Sequence, residues 1–247
     1  MTLGPEGRSP WLGPSVPAAL EALAVTAGTT ALVTLAARFV PERFAATSVG
    51  FVFLLATWLF VWRRDDATVE ASGLALGGLV LPGPLPVRRM AKSVVVSIGW
   101  ALLAALVVFV PFALGWRRVW HVSSVFRFPF TLAAFANEAF GQLVIIALPE
   151  EAFYRGYLQS RLDLAFGPKL RVRVLGADVG LSIVVTSLLF ALGHVATIPS
   201  PARLAVFFPS LLFGLLRART RGVGAGIVFH AMCNLLSEIL GKGYGLY

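Results

Sequence analysis

A cluster of charged side chains interrupts a long apolar part of the chain. Glu150, Glu151 and Arg155 lie in the sequence PEEAFYR, directly after a run at 128–148 in which Glu138 is the only formal charge. Ionisable groups are costly inside a lipid bilayer, so they usually line a cavity, pair with one another and carry function. The cluster therefore indicates a functional site, and two adjacent carboxylates indicate acid–base chemistry there.

The spacing within the cluster predicts different roles for its two carboxylates. Glu151 and Arg155 are four residues apart with the acid on the N-terminal side, which is the favourable order for an ion pair on one helix face. Glu150 lies about 100° further round the helix and is free to point elsewhere. We therefore expect Glu151 to pair with Arg155 and Glu150 to act as the general base. The alternative is that both acids only neutralise arginines. Pro149 should loosen the backbone just before the base, because it lacks an N–H group.

Two histidines and an asparagine lie in the apolar stretches that follow. His194 comes four residues after Phe190, and Asn234 comes four residues after His230, so one helix face presents an imidazole and a carboxamide. Both groups can donate hydrogen bonds, and such donors stabilise an oxyanion in a site of low dielectric. A lone buried histidine is more often a core residue. Two histidines together with Asn234 and the glutamate pair favour a shared catalytic cavity.

Other kinds of catalytic site find little support in the sequence. Cys233 is the single cysteine, so neither an internal disulfide nor a cysteine zinc site can form, and we expect it to be a packing residue. Neither GxSxG nor HExxH occurs, which gives no support to a serine hydrolase or a zincin. We expect no cofactor. A zinc site made by Glu150, His194 and His230 is the open alternative.

The composition predicts the elements that must position these residues. Of the 247 residues, 57% are hydrophobic and 13% are charged, whereas a soluble domain carries about 25% charged residues. Continuous apolar runs predict an all-α polytopic transmembrane bundle rather than a β-barrel. We expect about seven spans, within a range of six to eight. They are placed at 18–40, 44–62, 93–115, from 130 to just past Arg155, 179–199, 202–216 and 223–240.

The same pattern divides the chain into regions. We expect an N-terminal arm at 1–17, transmembrane helices at 18–129, a catalytic helical core at 130–241 and a tail at 242–247. Glycines and prolines interrupt the apolar stretch at 71–87, which favours an interfacial or re-entrant segment there. A polar connection should join the fourth and fifth spans.

The net charge of +9 comes mainly from arginines between the apolar runs. This placement suits anionic headgroups, and no basic patch interleaved with aromatic residues indicates nucleic-acid binding. Alternate loops hold 13 Lys and Arg against 7 in the opposite set, so the positive-inside rule puts the N-terminus in the cytoplasm. Eighteen arginines against three lysines suggest a GC-rich bacterial genome and thus a bacterial inner membrane.

Three motifs on successive predicted spans resemble those of a known family. The family is CPBP, the CAAX-type intramembrane endopeptidases that are also called Abi or type II CAAX prenyl proteases. The resemblance covers residues 130–241, just under half of the chain, and each motif alone is weak, whereas three in this order are specific. The motifs are Glu150-Glu151-x-x-x-Arg155, Phe190-x-x-x-His194 and His230-x-x-x-Asn234.

The resemblance implies a glutamate-dependent intramembrane protease. Glu150 with His194 would activate the attacking water, and His230 with Asn234 would hold the oxyanion, while the PEEAFYR ion pair supports the site. The role of His194 follows from the resemblance alone. The implied partners are the lipid bilayer and a membrane-associated protein or peptide, and the oligomeric state stays open.

The family does not fix the substrate. Eukaryotic relatives trim prenylated CAAX tails, whereas bacterial relatives include enzymes linked to bacteriocin maturation or immunity, and myxosortases. Prenylated CAAX proteins are not expected in a bacterium, so we expect a bacterial protein or peptide to be cut near the membrane. A non-catalytic membrane scaffold or immunity protein is the alternative from another class. A transporter with a Glu/His proton relay has little support, because no inverted repeat is seen.

Overall fold

The computed structural model describes residues 16–168 and 171–246, and its architecture confirms the all-α prediction. About 79% of the described residues are helical, and only one small two-stranded sheet is present among them. The expected N-terminal arm lies almost entirely outside the described residues. The helices are α1 (Val16–Phe39), α2 (Glu42–Trp62), α3 (Asp66–Ala71), α4 (Val87–Val119), α5 (Leu132–Phe166), α6 (Leu181–Thr197), α7 (Pro201–Thr220) and α8 (Gly224–Gly243).

Each of the seven predicted spans corresponds to one helix. Among the described residues, six helices are long and apolar enough to cross a membrane: α1, α2, α4, α5, α7 and α8. Helix α6 is apolar but has only 17 residues, so it is about 26 Å long, slightly less than the hydrocarbon core of a bilayer. The chain is thus a polytopic integral membrane protein. The interrupted stretch at 71–87 forms no long helix, only a short 3-10 turn at Leu76–Gly78 and irregular backbone.

The connection between α5 and α6 differs from the prediction. Helix α5 continues to Phe166, and strands β1 (Arg171–Val174) and β2 (Ala177–Gly180) then pair antiparallel in a hairpin. Its two turn residues, Leu175 and Gly176, have positive φ angles of 49° and 76°. Such turns match the right-handed twist of paired strands. The sequence did not predict this hairpin, because its charged residues indicated only a polar loop.

Loops at both ends of the bundle join the N-terminal helices to the C-terminal ones. At one end the backbone N–H of Val223 donates to the carbonyl of Gly73 over 3.2 Å. At the other end the N–H of Arg127 donates to the carbonyl of Gly243 over 2.9 Å. These bonds satisfy loop backbone groups that would otherwise be costly near lipid. They hold α4 and α8 parallel along a shared interface, with Gly224 at the start of α8 against Ser97 near the start of α4.

The core of the bundle lies around the middle of α5. Every residue from Ala152 to Leu158 is buried, and this part of α5 packs against α2 and α6. Just before it, Leu148–Glu151 packs against α2 and α8. Helix α5 is therefore the central element, and the PEEAFYR cluster belongs to the interior of the protein.

Candidate active site

Helix α5 departs from regular α-geometry on both sides of the two glutamates. The segments Gly141–Ala147 and Ala152–Leu158 are π-helical, and the short α-helical segment Leu148–Glu151 lies between them. Pro149 has no N–H group to donate to the carbonyl of Ile145, which lies one turn earlier. Departures of this kind frequently occur at functional sites. The backbone is thus irregular where Pro149 was expected to loosen it.

Helix α2 packs closely against this irregular backbone. A Cβ atom built on Gly50 of α2 would lie 2.7 Å from the carbonyl oxygen of Ile145 and 3.3 Å from Cγ of Pro149. Both distances are shorter than ordinary van der Waals contacts. Only glycine lets α2 approach the carbonyl that Pro149 leaves without its usual donor, so Gly50 helps to fix the position of α5.

Glu151 and Arg155 form the ion pair that their spacing predicts. Nη1 of Arg155 donates to Oε1 of Glu151 over 2.8 Å, and both side chains are completely buried. Nη2 of Arg155 also donates to the hydroxyl and the carbonyl oxygen of Ser210 on α7. The guanidinium lies 4.7 Å from the ring centre of Phe190 and 4.9 Å from that of Phe213. These aromatic faces stabilise the buried cation.

The same oxygen of Glu151 also binds His230, which the sequence did not predict. Nδ1 of His230 lies 3.0 Å from Oε1 of Glu151, and its ring stacks on Phe213 at a centre-to-centre distance of 4.7 Å. Because a carboxylate accepts hydrogen bonds, the Nδ1 atom carries the proton in this contact. Nε2 of His230 then points away from Glu151, toward the neighbouring carboxylate.

Glu150 faces both histidines. Its Oε2 atom lies 3.9 Å from Nε2 of His230 and 4.0 Å from Nε2 of His194. These distances exceed those of direct hydrogen bonds, and Oε2 is buried without a hydrogen-bond partner among the described residues. Nδ1 of His194 lies 3.0 Å from the carbonyl oxygen of Phe190. A carbonyl only accepts, so His194 also holds its proton on Nδ1 and turns Nε2 toward Glu150.

Asn234 lies one helical turn beyond His230, and its side chain has a partner that the sequence did not predict. Nδ2 of Asn234 donates to Oε1 of Gln142 over 2.9 Å. Nε2 of Gln142 in turn donates to Oε1 of Glu138 over 2.9 Å. The signal for Gln142 was its position one turn after Glu138 in an otherwise apolar run. The structure thus extends the site by two residues of α5.

The spacing of Glu150 from the two histidines bears on the alternative of a zinc site, which stays a hypothesis. Tetrahedral zinc with bonds of about 2.0–2.2 Å needs donor atoms about 3.4 Å apart. Oε2 of Glu150 instead lies 3.9 and 4.0 Å from the two Nε2 atoms. In the part of the chain that the structure describes, no three His, Cys, Asp or Glu side chains gather as metal ligands would.

The fold and the site together define a class: an integral membrane protein whose helical bundle buries a glutamate between two histidines. Residues 130–236 match the family model described as Rce1-like, Type II CAAX prenyl endopeptidase Rce1-like. This segment therefore carries an Rce1-like type II CAAX prenyl endopeptidase domain, which confirms the family resemblance seen in the motifs. No curated protein and no solved structure matched the chain.

The matched segment contains all seven residues that the motifs name, and it begins just before α5 and ends within α8. Because the family consists of endopeptidases, the match supports a hydrolase that acts on protein substrates at the membrane. The match does not assign roles to individual side chains, so the roles expected for Glu150, His194, His230 and Asn234 stay predictions.

Proposed function

We propose that the protein is an intramembrane glutamate-dependent endopeptidase that hydrolyses a peptide bond of a membrane-associated protein or peptide. The supporting observation is the position of Oε2 of Glu150. This buried oxygen has no hydrogen-bond partner among the described residues, and it lies about equally far from Nε2 of His194 and Nε2 of His230. A carboxylate held in this way is suited to accept a proton from a reactant.

In the proposed reaction Glu150 and His194 position and activate a water molecule. Nε2 of His194 accepts a hydrogen bond from the water, because its Nδ1 proton is held by the carbonyl of Phe190. Glu150 takes the proton as the water oxygen attacks the carbonyl carbon of the substrate. Proton transfer of this kind contributes about 10²- to 10⁴-fold to the rate.

The attack places a negative charge on the carbonyl oxygen of the tetrahedral intermediate. His230, through Nε2, and Asn234, through its Nδ2 group, donate hydrogen bonds to this oxyanion. Because Nδ1 of His230 already donates to Glu151, donation from Nε2 requires the doubly protonated imidazolium form of His230 in this step. Each donor of this type is worth about 10²- to 10³-fold in kcat. Glu150 then passes its proton to the leaving nitrogen, and the carbon–nitrogen bond breaks to give a carboxylic acid and an amine. The ion pair of Glu151 and Arg155 holds α5 and His230 in register.

The substrate in this proposal is a bacterial protein or peptide anchored in, or lying on, the inner membrane. The excess of arginine over lysine supports a bacterial source, and the distribution of basic residues supports a cytoplasmic N-terminus. No metal takes part in the proposed reaction, in keeping with the wide spacing of the three candidate ligands.

Mass spectrometry of membrane-protein termini tests the proposal in cells. We expect a set of new termini in cells with the wild-type protein and their loss in cells with Glu150→Gln at equal protein abundance. Glu70→Gln is a matched control, because Glu70 lies outside the site in an exposed ion pair with Arg89. Normal termini with an accumulating Glu150→Gln protein would refute the protease assignment.

A membrane scaffold or immunity protein is the second candidate. One observation favours it: the network of Glu151, Arg155 and Ser210 is completely buried and can serve the fold without any reaction. In that case Glu150→Gln should leave in-cell protection or binding unchanged, whereas Arg155→Met should remove both together with the folded protein.

A further inference from the structure

The orientation of the Asn234 side chain decides whether it can stabilise an oxyanion. A carboxamide has a donor nitrogen on one side and an acceptor oxygen on the other, and the two differ by a 180° flip. Only the nitrogen lowers the energy of a negatively charged oxygen. Some other group must therefore determine which atom of Asn234 points toward the proposed substrate position.

A chain of hydrogen bonds from Glu138 supplies this determinant. A carboxylate can only accept, so Glu138 requires the nitrogen of the Gln142 carboxamide to face it. The oxygen of Gln142 is then directed to the other side, toward Asn234. That oxygen in turn requires the nitrogen of Asn234 to face Gln142. One hydrogen of Nδ2 is used in this bond, and the second stays available for a ligand on the same side.

Burial of Gln142 limits the ways in which this series of hydrogen bonds can be arranged. Gln142 is 8% exposed, and Asn234 is only half-buried. A buried carboxamide that loses a partner bears the full cost of its desolvation, so the alternative flip of Gln142 is disfavoured, and its oxygen stays directed at Asn234. The three residues come from two helices, with Asn234 on α8 and the other two one turn apart on α5.

We infer that Gln142 is a positioning residue, which holds the nitrogen of Asn234 toward the oxyanion and is itself oriented by Glu138. This inference rests on the proposed function, because it concerns the orientation of Asn234, one of the two proposed oxyanion donors. It predicts that the chemical step, rather than substrate binding, depends on a side chain that contacts no substrate.

Nuclear magnetic resonance tests the geometry without any activity. The chain contains only two asparagines, Asn137 and Asn234, so labelling asparagine side chains with ¹⁵N gives two NH₂ signals, and Asn137→Asp assigns them. In the full-length protein in detergent micelles, Gln142→Met should shift the Asn234 signal and speed its hydrogen exchange. Gln159→Met is the control, because Gln159 is the other glutamine and is also buried, with its nitrogen near the carbonyl of Gly214.

Kinetics test the consequence, on a synthetic peptide that spans a cleavage site found by the termini comparison. Gln142→Met should lower kcat by about 10- to 100-fold, less than the loss of a whole oxyanion donor, with KM nearly unchanged. Gln159→Met should keep kcat. The double variant Glu138→Gln with Gln142→Glu exchanges donor and acceptor but still presents an oxygen to Asn234, so it should recover most of the lost rate.

The outcomes separate this inference from the proposed function. An Asn234 signal that is the same in Gln142→Met and wild type overturns the inference, whatever the activity. So does a double variant as slow as Gln142→Met, or a loss expressed in KM alone. If Glu150→Gln cleaves normally, the proposed function fails instead, while a shifted Asn234 signal would still establish the hydrogen-bonded chain.

Discussion

Oε1 of Glu151 lies 3.0 Å from Nδ1 of His230, and the same oxygen accepts a hydrogen bond from Arg155 over 2.8 Å. One carboxylate oxygen thus joins the ion pair within α5 to the histidine on α8. The adjacent Glu150 reaches the opposite nitrogen of that histidine at 3.9 Å. The two neighbouring glutamates therefore lie at opposite edges of one imidazole, but only Glu151 is hydrogen-bonded to it, so they should respond differently to the same substitution.

Glu151→Gln should destabilise the protein strongly. It removes the countercharge of a completely buried arginine, and breaking one partner of a buried ion pair costs about 3–5 kcal/mol. Thermal unfolding in detergent measures the change. Glu238→Gln is the matched control, because Glu238 and Lys242 have the same spacing on α8 but are partly exposed, and such pairs contribute about 0.3–0.5 kcal/mol. Equal melting temperatures for the two variants would contradict a structural role of Glu151.

Glu150→Gln should behave in the opposite way. Oε2 of Glu150 is buried without a hydrogen-bond partner among the described residues, so replacing the carboxylate with an amide should leave the melting temperature unchanged or higher. Activity should fall by about 10²- to 10⁴-fold, the range of a general base. Parallel melting curves and cleavage rates test both parts. An inactive variant that is also unstable would instead place Glu150 in the fold.

Gly50→Ala should destabilise the packing of α2 on α5. Its Cβ atom would lie 2.7 Å from the carbonyl oxygen of Ile145, and such overpacking costs about 1–3 kcal/mol. The comparison is Gly28→Ala on α1, where a Cβ atom meets nothing within 4 Å. In a helix this replacement should stabilise by up to about 1 kcal/mol. If the unfolding midpoints of Gly50→Ala and Gly28→Ala move in the same direction, the close approach at Gly50 does not contribute to stability.

Chelation should not inhibit the enzyme. The proposed reaction uses no metal, and Oε2 of Glu150 lies 3.9 and 4.0 Å from the two Nε2 atoms, more than the spacing of about 3.4 Å in tetrahedral zinc sites. Cleavage of the synthetic peptide should therefore continue at an unchanged rate after dialysis against EDTA or 1,10-phenanthroline. Metal analysis of the purified protein provides an independent measurement. Activity that is lost on chelation and restored by zinc would establish the metalloprotease alternative.

Local geometry explains which parts of the site the sequence predicted. The ion pair of Glu151 and Arg155 depends only on helical spacing, and it forms as expected. The π-helical segments change the rotation of α5 between Gln142 and Glu150, so regular helical spacing cannot relate the two ends of the helix. For this reason the sequence did not predict that Glu138 and Gln142 lie in the same site as Asn234.

The sequence by itself determined that the protein is a helical membrane bundle with a polar cluster, because composition and apolar run length depend on the chain alone. It also determined the order of the three motifs. Only the tertiary structure decided the partners of each side chain. The bond between Glu151 and His230 joins residues 79 positions apart, and the bond between Gln142 and Asn234 joins residues 92 positions apart. Contacts of this range depend on how each helix is rotated against its neighbours, which the close packing of small residues such as Gly50 sets.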